Sequence, residues 1–183
     1  DRAFIEQRVH DLKHLLPEAI SLHYAVKANP FAPLVNFMAQ RCDGLDVASF
    51  GELELALQAG VAPQDISFAG PGKSDKDIEA AVDCGCIIVL ESINEMHRVA
   101  ALGQRKGILP KVALRINPDF ELKGSGMRMS GGPKAFGVDA EIAPQVLKEI
   151  GKKPLDFFGL HIFTGSQNLN EDAIIDAHRK IFE

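Results

Sequence analysis

"HYAVKANP", residues 23–30, sets a lysine in a short run that otherwise reads as a buried strand. An ammonium removed from water is costly unless it is paired or put to chemical use, so Lys27 is the residue to explain. Ahead of this run, Phe4, Ile5, Val9, Leu12, Leu15 and Leu16 recur at helical spacing and predict a helix. After it, short apolar runs begin near Leu45, Ile66, Ile87, Lys111 and Phe157. Helices fit into the gaps. "SFGELELALQAG", residues 49–60, opens with Ser49 and Glu52 as a capping box and stops at Gly60. "SINEMHRVAALG", residues 92–103, repeats the device with Ser92 and Glu95 and is expected to end at Gly103, while residues 74–85 form a third helix. Strand, cap, helix and glycine alternate, which predicts parallel α/β structure.

Two architectures satisfy that alternation, a closed (β/α)8 barrel and an open doubly wound sheet. The glycine-rich first turn of a nucleotide-binding open sheet is missing, because Asn-Pro-Phe-Ala follows the first strand. "SFAGPGKS", residues 67–74, imitates a phosphate loop, but Ser67 stands where its first glycine belongs and Pro71 removes a backbone donor. It reads better as a turn followed by a capped helix.

Strand phase favours the barrel. Leu22, Tyr24 and Val26 share one face, which leaves His23, Ala25 and Lys27 on the other. By the same alternation Asp46 opposes Leu45 and Val47, Arg115 opposes Leu114 and Ile116, and His161 and Phe163 oppose Leu160 and Ile162. Lys27, Asp46, Arg115 and His161 thus fall late in their strands, where barrel enzymes hold their chemistry. Taken singly, each is equally a strand-end group facing solvent; the coincidence of four is what suggests a site.

Composition narrows the classes. The 183 residues are 46% hydrophobic, enough for a core, and the net charge of −5 is interspersed, giving no footprint for nucleic acid. No apolar run reaches membrane-spanning length, and the opening residues do not read as a secretory signal. Cys42, Cys84 and Cys86 are an odd set without the second half of a zinc site, so a reduced, cytoplasmic protein with three small buried hydrophobes is expected. No metal is expected.

Four segments carry a resemblance. "HYAVKANP" looks like the cofactor-lysine segment of the fold-type III pyridoxal-phosphate enzymes, the diaminopimelate and ornithine decarboxylase group. "GLDVASFGEL" resembles that group's second strand and helix start, "LRINPDFELKGSGMRMSGGPKAFGV" its Arg-Ile-Asn-Pro strand with the following lysine-phenylalanine-glycine loop, and "GLHIFTGSQNL" its histidine, glycine-serine-glutamine strand, all in order. The whole pattern is most similar to the pyridoxal-dependent decarboxylases associated with exosortase systems. The resemblance implies an alanine racemase-like (β/α)8 barrel, pyridoxal 5'-phosphate as cofactor, decarboxylation of an amino acid, and a homodimer in the full-length protein; a racemase or a non-catalytic pyridoxal-phosphate carrier of the same fold is the alternative. A binding barrel in which Lys27 only pairs with Asp46 is a third reading.

Residue by residue, the resemblance makes Lys27 the Schiff-base lysine, with burial expected to help it lose its proton. Ser166 would donate to the cofactor phosphate, Asp46 and Glu52 would lie in the polar network around Lys27, and Arg115 would sit near the ring or its phenolic oxygen. The group's pattern has two histidines before its glycine-serine pair, the second stacking on the cofactor. Here the first is His161 and the second position is Phe163, which can stack but can donate no proton. The glycine-rich stretch 118–137, with Lys123, Arg128 and Lys134, fits an active-site loop as well as a surface excursion. Only six barrel strands are expected in residues 1–183, with the later barrel strands and the family's β domain absent from this chain.

Overall fold

Short strands and capped helices follow one another along the chain for reasons legible in single residues. The computed structural model describes residues 1–120, 127–128, 135–166 and 168–182, the side chains of 127 and 128 excepted. Lys123 and Lys134 of the glycine-rich stretch, and the side chain of Arg128, lie outside the described residues. The chain divides into two units, residues 1–69 with 73–87, and residues 70–72 with 88–183.

In the first unit, helix α1 (Arg2–Leu15) starts at Asp1, whose carboxylate accepts from Ala3 N–H at 2.9 Å. Strand β1 (His23–Ala25) is shorter than the sequence suggests: it gives way to a 3-10 turn over Val26–Ala28, with Asn29 N–H donating to the Val26 carbonyl at 3.1 Å. Helix α2 (Ala32–Ala39), strand β2 (Gly44–Val47), helix α3 (Phe50–Gln58), strand β3 (Ile66–Phe68) and helix α4 (Asp75–Cys84) follow. The strands run parallel in the order β1-β2-β3, pairing Ala25 with Asp46 and Asp46 with Ser67. Gly44 is required there, since a Cβ would lie 2.2 Å from the Asp65 carbonyl and 2.5 Å from the His23 ring. Leu45, Ile66 and Phe68 are fully buried between the sheet and its helices.

Capping holds in substance, with one change of detail. Ser49 Oγ accepts from Glu52 N–H at 3.3 Å, but the Glu52 carboxylate reaches past Ser49 to Ala48 N–H, at 2.7 Å. Ser74 and Asp77 form the full reciprocal box at the start of α4, and Asp77 also accepts from Phe50 N–H at 2.8 Å. The false phosphate loop is therefore a capped turn. Its lysine, Lys73, is 5% exposed and lies 5.8 Å from the centroid of Phe68.

The second unit contains β4 (Ile87–Leu90) from Ile88 on, α5 (Ile93–Lys106), β5 (Lys111–Asn117), β6 (Met127–Arg128), β7 (Val138–Asp139), α6 (Ala143–Ile150), β8 (Asp156–Ile162), β9 (Gly165–Ser166) and α7 (Glu171–Phe182). Strand β5 pairs in parallel with β4, with β8 and, at its end, with β7. Helix α5 does not stop at Gly103 as expected. It runs on to Lys106 and ends at Gly107, with φ of 66°. Gly103 serves instead as a contact: a Cβ there would stand 2.6 Å from the ring of Pro110. The alternation throughout is that of an α/β fold, a (β/α)8 barrel present in part.

Candidate cofactor site

The site residues occupy two settings. In the first unit, Val26 is fully buried and anchors the turn on which Lys27 stands exposed. The Tyr24 hydroxyl donates to the Asn29 carbonyl at 3.0 Å, and Asn29 Oδ1 accepts from Phe31 N–H at 3.1 Å, so the turn is laced on both sides of Pro30. The expectation of a buried lysine fails because β1 ends at Ala25: the chain turns before the alternation can carry Lys27 inward. The amine is reached by solvent rather than desolvated.

Asp46 lies beside Ala25 in register, two residues before Lys27. Its carboxylate accepts from the Ser67 hydroxyl and lies 3.5 Å from His23 Nδ1. That carboxylate raises the imidazole pKa above its ordinary 6.5 through the hydrogen bond, against the opposing pull of partial burial. Glu52 is placed at the mouth of α3, on the Ala48 amide, where it completes the helix start.

In the second unit the reverse holds, and the decisive residue is one that sequence reading missed. Glu91, directly after β4, is 3% exposed. Its carboxylate accepts from Arg115 Nη1 at 3.0 and 3.3 Å, from Gly70 N–H at 2.6 Å and from Gly137 N–H at 3.0 Å. A buried carboxylate with a guanidinium and two amides has its lone pairs filled, which is the condition for tolerating the burial of such a pair. Gly137 has φ of 72°, and a Cβ would fall 2.7 Å from the Arg115 carbonyl, so the amide reaches Glu91 only from glycine. Glu95 supports from below, accepting from Glu91 N–H at 2.7 Å.

Arg115 is 6% exposed, with its guanidinium 4.9 Å from the centroid of Phe136 and 5.7 Å from that of Phe163. Phe163 is half-buried and so has a cation at its face. His161, also half-buried, is in register with Arg115 across the β5–β8 ladder. Beyond Ile162 the chain enters β9, where Gly165 and Ser166 pair antiparallel with Arg128 and Met127. Ser166 is half-buried and borders a cavity of about 320 Å³ that Phe163 and Thr164 also line, with Ile174 and His178 from α7. One unit thus brings together Arg115, His161, Phe163 and Ser166; the other holds Lys27 and Asp46.

Each unit, taken by itself, offers a group whose chemistry suits pyridoxal phosphate. Lys27 offers an accessible primary amine at the end of a strand, and Ser166 offers a hydroxyl beside a glycine, as a phosphate would need. Among the described residues no group of three or more His, Cys, Asp or Glu is placed to hold a metal ion.

Comparison with known proteins places these features. The family model described as "Pyridoxal-dependent decarboxylase, pyridoxal binding domain" matches residues 2–183. The chain belongs to this family, the pyridoxal-binding domain of the fold-type III pyridoxal-phosphate-dependent decarboxylases, and its α/β fold is that of the family. The L-glutamyl-[BtrI acyl-carrier protein] decarboxylase of Niallia circulans is 37% identical over 180 residues, 97% of this chain and 42% of that protein. The diaminopimelate decarboxylase of Aquifex aeolicus is 33% identical over 181 residues, 97% of this chain and 43% of that one. Among solved structures, diaminopimelate decarboxylase of Helicobacter pylori complexed with L-lysine superposes with a TM-score of 0.89 at 31% identity, covering 99% of this chain and 47% of its own. The chain therefore spans less than half the length of these relatives. Pyridoxal phosphate is the family's cofactor.

Proposed function

We propose that the full-length protein is a pyridoxal-phosphate-dependent amino-acid decarboxylase in which Lys27 is the amine that holds the cofactor. The observation that carries this is the exposed Lys27 on the turn after β1, in a chain matched by the family model from residue 2 to 183. When bound, the cofactor supplies an electron sink for the carbanion left by loss of carbon dioxide. The chain's own residues do the rest. Lys27 binds through its amine, and after substrate has taken its place the same amine, on an exposed turn, moves protons. Asp46, already linked to His23 and Ser67, contributes negative charge near the strand end. Ser166 donates to phosphate, and Arg115, fixed by Glu91, presents positive charge from a set position. Phe163 and His161 supply an aromatic wall. Phe163 can hold a ring by contact but carries no proton, so proton transfer falls to groups other than Phe163.

The substrate is an amino acid, free or carried. The Niallia circulans relative acts, by its name, on a glutamyl group on an acyl-carrier protein, whereas the Aquifex aeolicus relative acts, by its name, on diaminopimelate. Both belong in the test panel. We further assign the protein to the cytoplasm as a homodimer; no helix among the described residues is long and apolar enough to cross a membrane.

Borohydride reduction of the full-length protein loaded with pyridoxal phosphate, followed by peptide mapping, should place the pyridoxyl group on Lys27. Modification at Lys73 or Lys153 instead would overturn the assignment. Release of carbon dioxide from one member of the panel separates a decarboxylase from a racemase or a carrier of the same fold.

A further inference from the structure

The cysteine pair at the end of α4 has no part in this chemistry and is built for another. Helix α4 finishes at Cys84, and Gly85, with φ of 80°, reverses the chain so that Cys86 returns over the last turn. Both thiols then meet one acceptor: Cys84 Sγ lies 3.4 Å and Cys86 Sγ 3.7 Å from the Ala81 carbonyl oxygen. The two sulfurs are therefore neighbours across a three-residue turn. Their surroundings differ, contrary to the expectation of three buried hydrophobes. Cys84 is half-buried, while Cys86 is 1% exposed. The outer side of the turn is open, for a Cβ on Gly85 would meet nothing within 4 Å.

We propose that Cys84 and Cys86 form a reversible thiol–disulfide site, with Cys84 the attacking sulfur, Cys86 the resolving one, and a small-molecule disulfide such as oxidised glutathione as the co-reactant. The Cys84 thiolate attacks one sulfur of oxidised glutathione, forming a mixed disulfide and releasing the first glutathione as its thiolate. Cys86, sheltered from the reagent but adjacent to the new bond, then attacks the Cys84 sulfur and releases the second glutathione. Two protein thiols are oxidised, one external disulfide is reduced, and the two thiol protons end on the two glutathione molecules. The assignment of roles follows from access, and the charge distribution agrees with it. A hydrogen bond from the Cys86 thiol brings the Cys84 thiol down to about 7, against burial and the nearby Asp83 carboxylate. The same pairing, with burial, pushes the Cys86 thiol up. The nucleophile is thus the sulfur that a reagent can reach, and its partner keeps its proton until the mixed disulfide forms.

Trypsin cuts after Lys76 and Arg98, so one peptide, residues 77–98, carries both cysteines and excludes Cys42. The reduced, folded full-length protein is treated with oxidised glutathione, quenched in acid, alkylated and digested. The expected peptide is two hydrogen atoms lighter than the dithiol, takes no alkyl group, and returns to the dithiol with excess reduced glutathione. In Cys86→Ser, Cys84 should instead retain glutathione, because no resolving sulfur remains. In Cys84→Ser, Cys86 should stay an unmodified thiol. A wild-type peptide that remains a dithiol, or that accumulates glutathione on Cys84 as Cys86→Ser does, overturns the proposal. So does glutathione found on Cys86 in folded Cys84→Ser, which would reverse the roles.

Discussion

Lys27 follows a parallel strand and Arg115 lies in the second half of one, yet the two units treat these basic side chains oppositely. Lys27 stands exposed on a 3-10 turn that Val26 anchors in the core. Arg115 is 6% exposed, gripped by a carboxylate that also ties down the amides of Gly70 and Gly137. In the function proposed above Lys27 must exchange one covalent partner for another, and its exposure gives the access that such an exchange needs. A group that only has to present charge in the same place every turnover gains from being locked, since reorganisation would cost energy at each cycle.

The contrast can be broken first at Lys27. Lys27→Ala should reduce carbon dioxide release by the full-length protein to background, while its unfolding free energy changes by no more than about 0.5 kcal/mol, as for other exposed sites. A large loss of stability in chemical denaturation would show that the lysine is a structural member after all.

Glu91→Ala should do the opposite, acting first on the fold. It leaves the Arg115 guanidinium buried without its carboxylate, a change that costs about 3–5 kcal/mol. Denaturant melts of Glu91→Ala, Arg115→Met and the double variant measure the coupling, and the double variant should lose less than the sum of the singles. Additive losses would mean that the pair is not a unit.

Phe163 lies between these extremes. Phe163→Ala removes a ring from the Arg115 guanidinium, worth about 0.5–2 kcal/mol for a cation over an aromatic face. If the ring also lies against the cofactor, Phe163→Ala should shift the absorption of bound pyridoxal phosphate and Phe163→His should restore retention. Equal spectra in all three proteins would confine Phe163 to its contact with Arg115.

The smallest effect expected is at His23. Its folded pKa lies above 6.5 because of the Asp46 carboxylate, so the pair's stabilisation is fully present below the unfolded value and is lost as pH rises through the folded one. The stability difference between the wild type and His23→Gln should accordingly be larger at pH 5.5 than at pH 8.5, read by thermal unfolding across that range. A difference that grows with pH would mean that His23 is favoured in its neutral form.

The fold was legible because strands, caps and glycines signal locally. Ser74 with Asp77, and Gly60 and Gly85 after their helices, act where the sequence puts them. What depended on tertiary contact was not. Gly103 has the sequence character of a helix end, but Pro110 approaches it from the far side of a turn, and only the folded chain shows that. Lys27 does not follow strand alternation because the chain has already entered the 3-10 turn Val26–Ala28 when it reaches the lysine. Glu91 escaped notice as one more residue before a Ser92 cap. Its signal was in the pairing of two runs: Ile88, Val89 and Leu90 stand opposite Val112, Ala113 and Leu114, so the next step brings Glu91 level with Arg115. Opposite charges at the same depth of neighbouring parallel strands are a readable pattern once the register is guessed.

One irregularity in β8 has a consequence for how such a site changes over generations. Val112 pairs with Phe157, but Ala113 pairs with Gly159, so Phe158 is an extra residue and is itself 66% exposed. Were every residue of β8 paired one for one, Leu160 rather than His161 would stand beside Arg115. Removing position 158 itself would leave Gly159 opposite Ala113 and His161 opposite Arg115, because the residue taken out is the one without a partner in the ladder. Losing one residue between Gly159 and His161 would instead carry His161 from Arg115 to Leu114 and exchange the sides of the strand. The bulge is thus where this strand can change its length without moving the site.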